Sequence, residues 1–224
     1  MTVTIRWLAH ASFQIKTETQ NVYIDPSTKD TGLKKDDFKP ADLILVTHGH
    51  KDHFDKDLLK KIRKPGNPVI APGALKKEMK GIVMWDVGPG QFMQMSGGFH
   101  IIGTQAYNVK RLRPNGEPFH PKGLGAGYIL KIEEKKIYHA GDTDLIPEME
   151  QLSTAGIDVA LLPAGDTYTM DTKDAAEAAL MIKPKVVIPM HLWDKDPTPF
   201  KTEVESRSSM KVVLLGKGEE YTIE

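Results

Sequence analysis

Apolar and polar residues alternate along residues 2–7, 12–17 and 21–25, with short polar turns between them. This period of two predicts a β-meander. Residues 27–40 are rich in Lys and Asp and poor in apolar groups, which predicts an exposed connection. The apolar, β-branched run 41–46 reads as a buried strand, and Asp55 as the N-cap of a helix whose apolar stripe is Leu58, Leu59 and Ile62. Pro65-Gly66-Asn67-Pro68 marks a turn, 69–71 a short buried strand and 74–80 one or two helical turns. Strands follow at 82–87, 91–95 and 99–106, separated by Gly-rich turns at 88–90 and 97–98, with Met84, Met93 and Met95 read as packing residues.

Residues 107–127 break the pattern. They mix Lys110, Arg111 and Arg113 with Pro, Gly, Phe119 and His120 and show no period, and such a stretch inside a compact domain points to function. Beyond it, 128–132 and 136–139 form a hairpin closed at 133–135. A helix over 145–155 with Pro147 in its first turn, a buried strand over 157–163 and a loop over 165–170 come next. Asp171 or Thr172 caps an Ala-rich helix through Met181, a strand runs over 185–190, and 198–207 is amphipathic. Residues 210–215 and 220–223 read as a final strand pair. Strands in two consecutive blocks, each followed by helices, imply an α/β protein of two packed sheets with helices outside. With no linker or repeat, residues 1–224 read as one domain.

Composition narrows the chemistry. A chain of 224 residues can bury a continuous core, and its 30 basic and 30 acidic residues balance, so it has no global attraction for nucleic acid or an anionic membrane. The absence of cysteine excludes disulfides and thiolate metal sites, leaving imidazole and carboxylate as ligands. No signal-peptide pattern opens the chain and no apolar run approaches ~18 residues, which reads as a soluble cytoplasmic protein. Its oligomeric state, a homo-oligomer included, is left open.

The densest chemistry lies in Thr47-His48-Gly49-His50-Lys51-Asp52-His53-Phe54-Asp55, where three imidazoles and one carboxylate fall within residues 48–53. The stretch is a strand-to-helix loop. His48 and His50, two apart, can point the same way while Asp52 and His53 fall on the turn into the helix, which suits two adjacent metal ions.

Thr-His-x-His-x-Asp-His after an apolar strand resembles the signature of the metallo-β-lactamase-fold hydrolases. Leu8-Ala9-His10-Ala11-Ser12-Phe13, Ile24-Asp25-Pro26, Tyr138-His139-Ala140-Gly141-Asp142-Thr143-Asp144 and Pro189-Met190-His191 extend the resemblance over essentially the whole chain. They are similar to the small single-domain branch related to ascorbate-6-phosphate lactonase, which also holds a large group of metal-dependent hydrolases. The resemblance implies a four-layer αβ/βα sandwich and two divalent ions; a mixed or oxygen-rich ligand set leans from zinc toward manganese or nickel. One ion would be held by His48, His50 and a third histidine, the other by Asp52, His53 and His191, with Asp142 bridging. At the family's place for the third histidine stand Tyr107-Asn108; Asn108 through its amide oxygen, or His120 from the irregular loop, would complete the set, or the first site is left incomplete.

The resemblance also puts His10 beside the metal loop, as a substrate-side or supporting residue. Asp25 can orient a ligand imidazole or simply shape a turn. His139 can back up the site, give a proton to the leaving group or pack at the strand end, and Asp52 can orient the attacking hydroxide as well as bind metal. Lys110, Arg111 and Arg113 can capture a phosphate or carboxylate or simply form a solvated basic loop, and Tyr168, Thr169 and Trp193 can line the rim and contact substrate or serve ordinary packing. Two ions ~3.5–4 Å apart can hold a hydroxide that attacks a carbonyl or phosphorus centre. The expected activity is therefore metal-dependent hydrolysis of a phosphodiester, a phosphorylated small molecule or a lactone, with a small-molecule substrate as partner. The alternatives are an RNA-processing nuclease of the same fold, against which the neutral charge argues, or a metal-binding protein without catalysis.

Overall fold

The structure, a computed structural model, describes residues 2–29 and 31–224. β1 (Val3–Ala9), β2 (Ser12–Lys16) and β3 (Asn21–Ile24) form the antiparallel meander. β4 (Leu43–Leu45), β5 (Val69–Ala71) and β6 (Met84–Asp86) extend it in parallel, with α1 (Lys56–Ile62) between β4 and β5. A second sheet takes β7 (Phe92–Gln94), β8 (His100–Thr104), β9 (Gly127–Ile132) and β10 (Lys135–His139) in antiparallel order. It continues in parallel through β11 (Val159–Pro163) and β12 (Val186–Met190), with α2 (Thr172–Ile182) between them. After α3 (Thr198–Arg207), β13 (Lys211–Val212) joins β12, and β14 (Glu220–Ile223) joins β1.

Alternation along the strands builds the layers. Leu43 and Leu45 face a central core shared with Phe13, Tyr128 and Leu161, while Ile44 between them faces Leu58 and Leu59 of α1. In the second sheet Val159 and Leu161 point to that central core, and Ala160 and Leu162 to Ala176 of α2 and Phe200 of α3. Helix, sheet, sheet, helix is the expected four-layer order. α1 starts where expected, because Asp55 accepts a hydrogen bond from the Leu58 amide (3.0 Å). Among the described residues, no helix is long and apolar enough to cross a membrane.

Several expectations are corrected. The helix expected over 145–155 is a 3-10 helix, Pro147–Thr154, in which Met149 is the buried side chain, so no apolar stripe anchors a full α-helix. The turns expected at 74–80 are likewise a short 3-10 segment, Gly73–Lys76. The final strands do not pair: β13 stays on the second sheet and β14 crosses to the first, so the chain ends by tying the two sheets together. In the connection expected to be exposed, Ser27 and Thr31 are buried; Ser27 Oγ donates to the Lys51 carbonyl (3.1 Å), which pins the loop that carries the histidines.

Candidate metal centre

β1, β3 and β4 run one way in the first sheet, and β8, β10 and β12 run one way in the second. Their carboxyl ends deliver His10, Asp25, the 47–55 loop, the loop holding Asn108 and His120, Asp142 and His191 to one edge. His10, Asp25 and His191 adopt left-handed backbone (φ 53°, 49° and 54°). That conformation costs a non-glycine residue on the order of 1–3 kcal/mol and persists where the surroundings enforce it, as at a site. Gly141, at φ 65°, turns the chain after β10; a Cβ there would lie 3.0 Å from the Ala126 carbonyl oxygen, so glycine is needed to present Asp142.

Asp142 is the hub. Its Oδ2 lies 3.1 Å from His120 Nε2 and 3.1 Å from His191 Nε2, and its Oδ1 lies 3.3 Å from His53 Nε2. His48 Nε2 and His120 Nε2 stand 3.1 and 3.2 Å from His50 Nδ1. Asp52, His53, His191 and His10 form a neighbouring cluster. Hydrogen bonds from behind set the tautomers. His53 Nδ1 donates to Asp25 Oδ2 (2.7 Å), the Thr47 hydroxyl donates to the same oxygen (2.6 Å) and accepts from His48 Nδ1 (3.0 Å), and His120 Nδ1 donates to Asn108 Oδ1 (2.8 Å). Each arrangement turns the other ring nitrogen of His48, His53 and His120 toward Asp142.

The electrostatics agree with a ligand set. Burial, then His53, pushes the pKa of His48 well below its ordinary value, and burial, then His120, lowers that of His50. Burial opposes ionisation of Asp142, yet His191 and His53 hold its carboxyl well below the usual range. Burial likewise opposes ionisation of Asp52, but the hydrogen bond from His10 and the charge of His53 outweigh it. At His53 burial is overcome by Asp142 and Asp25, which raise its pKa. His53 Nε2 and Asp142 Oδ1 are fully buried without a hydrogen-bond partner. Buried orphan atoms of this kind, in a set made wholly of imidazole and carboxylate, fit divalent metal ions.

Other expected site residues lie elsewhere. Asn108 is not turned to the cluster: its Oδ1 accepts both the His120 amide (2.7 Å) and the His120 ring, and its Nδ2 donates to the Tyr168 carbonyl (3.0 Å). It holds His120 rather than standing in for it. His139 cannot deliver a proton to the cleft, because it is fully buried, with Nε2 donating to the Ala11 carbonyl (2.9 Å) and Nδ1 accepting from the Gly141 amide (3.1 Å). Lys110 and Arg111 do not line the cleft either. Arg111 pairs with Asp144, Asp166, Asp171 and Asp174, and Lys110 with Asp174 (2.8 Å), around a hollow separate from the cleft. His10 is mostly buried behind Asp52 (Nε2 to Oδ2 3.2 Å), an orienting partner rather than a substrate contact, and Thr169 is buried. Tyr168 does face the cleft, beside Lys29, Arg113, Phe119 and Trp193.

The Thr47 relay went unread in the sequence, although a hydroxyl directly before His48 at a strand end was a usable signal. Asn108→Ala is expected to weaken metal binding roughly 10–100-fold, as loss of a supporting hydrogen bond does. A competition titration against a chelator measures it, and wild-type affinity in the variant would remove the role assigned to Asn108.

Two stacked sheets with imidazoles and carboxylates gathered at their shared edge define a class, the metallo-β-lactamase-fold proteins. Residues 4–191 match the family described as the beta-lactamase superfamily domain, and the chain belongs to that superfamily, within its metal-dependent hydrolases. A UPF0173 metal-dependent hydrolase of Pelotomaculum thermopropionicum is 36% identical over 236 residues, covering 96% of this chain and 97% of its own. A relative of the same description from Pyrococcus abyssi is 36% identical, covering 99% of this chain and 100% of its own. Among solved structures, Igni18, a metallo hydrolase from the archaeon Ignicoccus hospitalis, superposes with a TM-score of 0.82 at 29% identity, covering 100% of this chain and 99% of that one.

Proposed function

We propose that this metal-dependent hydrolase acts on a small molecule, cleaving a phosphodiester, a phosphorylated compound or a lactone. The observation that carries the reading is the convergence of His48, His50, His120, Asp52, His53, His191 and Asp142, several with tautomers set from behind, at the floor of a cleft. In this reading His48, His50 and His120 would hold one divalent ion and Asp52, His53 and His191 another, with Asp142 between them. Such ions, when bound, supply Lewis acidity and lower the pKa of water.

The chain's own groups do the rest. Asp52, held ionised by His10, can orient a nucleophile or accept its proton. Lys29 and Arg113 line the cleft and offset negative charge on a substrate. Phe119 and Tyr168, edge to face at 4.8 Å, wall off solvent with Trp193. A cleft of about 360 Å3 suits a small molecule rather than a folded nucleic acid.

The test is hydrolysis of bis(p-nitrophenyl) phosphate and of simple lactones by metal-stripped protein refilled separately with zinc, manganese or nickel. Turnover with a refilled metal, lost in His50→Ala and His120→Ala, is the expected result. No turnover of either substrate type with any of the metals would favour a metal-binding role without catalysis.

A further inference from the structure

On the His48, His50 and His120 side of the donors a second lobe of about 270 Å3 opens, unlike the cleft that holds Lys29 and Arg113. Apart from the donors, its side chains are apolar: Ala74, Leu75, Ala106, Phe119, Pro121 and Leu124 supply most of the wall. His50, Phe119, His120 and Asp142 line both lobes, so a molecule seated over the donors reaches into both. The packing of the wall is close. A Cβ on Gly49 would come within 2.8 Å of Leu75 Cδ2, and Leu75 itself is buried. Leu124, by contrast, is 54% exposed at this lobe, an apolar side chain left facing water beside an apolar hollow.

This wall rejects some ligands. Apart from the donors, none of its side chains can hydrogen-bond a sugar hydroxyl or pair with a second phosphate, and burying such groups there unpaired is unfavourable. Alkyl or aryl carbon gains what those groups lose.

We propose that the substrate is amphiphilic: an ester, lactone or phosphodiester carrying one alkyl or aryl arm, with the arm seated between Leu75 and Leu124. Its polar or anionic part then points across the donors toward Arg113. This deepens the hydrolase reading given above and rests on it for the nature of the scissile bond. The arm itself rests on the lobe.

The test separates the two. Linear alkylphosphonates from methyl to octyl, anions that cannot be hydrolysed, are titrated calorimetrically into the metal-loaded protein. Affinity is expected to rise roughly fourfold per added methylene until the lobe is full. Leu124→Asn, which makes the mouth polar, and Ala74→Phe, which fills it, both change exposed positions and are each expected to flatten that slope. Absent binding, affinity that ignores chain length, or a slope that survives both substitutions overturns the proposal. The same chain-length series is then run as p-nitrophenyl alkyl phosphodiesters and alkyl-substituted lactones. Turnover without any slope in binding would keep the hydrolase and remove the arm; the slope without turnover of any member would keep the arm and remove the hydrolase.

Discussion

Asp25→Ala is expected to destabilise the fold by roughly 3–5 kcal/mol, the usual cost of removing one partner from a buried charged pair. The carboxylate is wholly buried and fully used: the Thr47 amide (2.7 Å) donates to Oδ1, and the Thr47 hydroxyl (2.6 Å) and His53 Nδ1 (2.7 Å) donate to Oδ2. Truncation leaves three donors buried without an acceptor. It also frees two metal-facing imidazoles at once, His53 directly and His48 through Thr47, so metal affinity should fall roughly 10–100-fold. Asp25→Asn is the control. Asparagine tolerates the left-handed backbone at φ 49°, so it keeps the turn while replacing one acceptor oxygen with a donor that opposes His53 Nδ1–H. Urea unfolding combined with metal titration measures both effects. An Asp25→Ala protein with unchanged metal affinity would separate Asp25 from the site and leave it a turn residue.

Removing divalent metal is expected to lower the melting temperature by roughly 8–16 °C. The estimate takes a metal held at about 1,000 times its Kd, which stabilises by about 4.1 kcal/mol. For a chain of this size each kcal/mol moves the midpoint by roughly 2–4 °C. The physical cause is crowding of unshared lone pairs. Asp142 Oδ2 stands 3.1 Å from two imidazole nitrogens, His53 Nε2 is buried with no hydrogen-bond partner, and a cation converts both liabilities into bonds. Calorimetry before and after chelation, followed by re-addition of metal, checks it. A midpoint unmoved by chelation would show that protein hydrogen bonds alone hold the cluster, and would count against resident metal.

Part of this site was legible in the chain. The 47–55 loop lies between β4 and α1 as read, with Asp55 capping the helix, because a strand's burial and a helix's first turn depend on residues within a few positions of each other. For Asp25 the sequence leaves open an imidazole-orienting carboxylate or a turn residue, and in the fold its carboxylate bonds His53. The third histidine stayed open between Asn108 and His120. These residues are 12 apart in an aperiodic loop, and only the folded path shows the asparagine amide turned onto the imidazole. Arg111 sits beside a strand end that reaches the site, yet its guanidinium turns to Asp166, Asp171 and Asp174, partners brought near by other loops. His139 adjoins the Gly-Asp turn, but its ring points into the core and bonds Ala11, 128 residues away.

By itself, then, the sequence determined the two-sheet layering, the strand-to-helix loop that carries three histidines and the ligand chemistry available to a chain without cysteine. Periodicity, capping and donor type are local properties, and they survive being read in one dimension. Only the tertiary structure decided that β14 leaves its neighbour for the first sheet, that His120 stands beside His48 and His50, that Lys110, Arg111 and His139 turn away from the cleft, and that an apolar lobe opens beside those imidazoles. Each of those outcomes depends on which distant segment meets a side chain, and that is set by sheet order and loop path rather than by any residue's near neighbours.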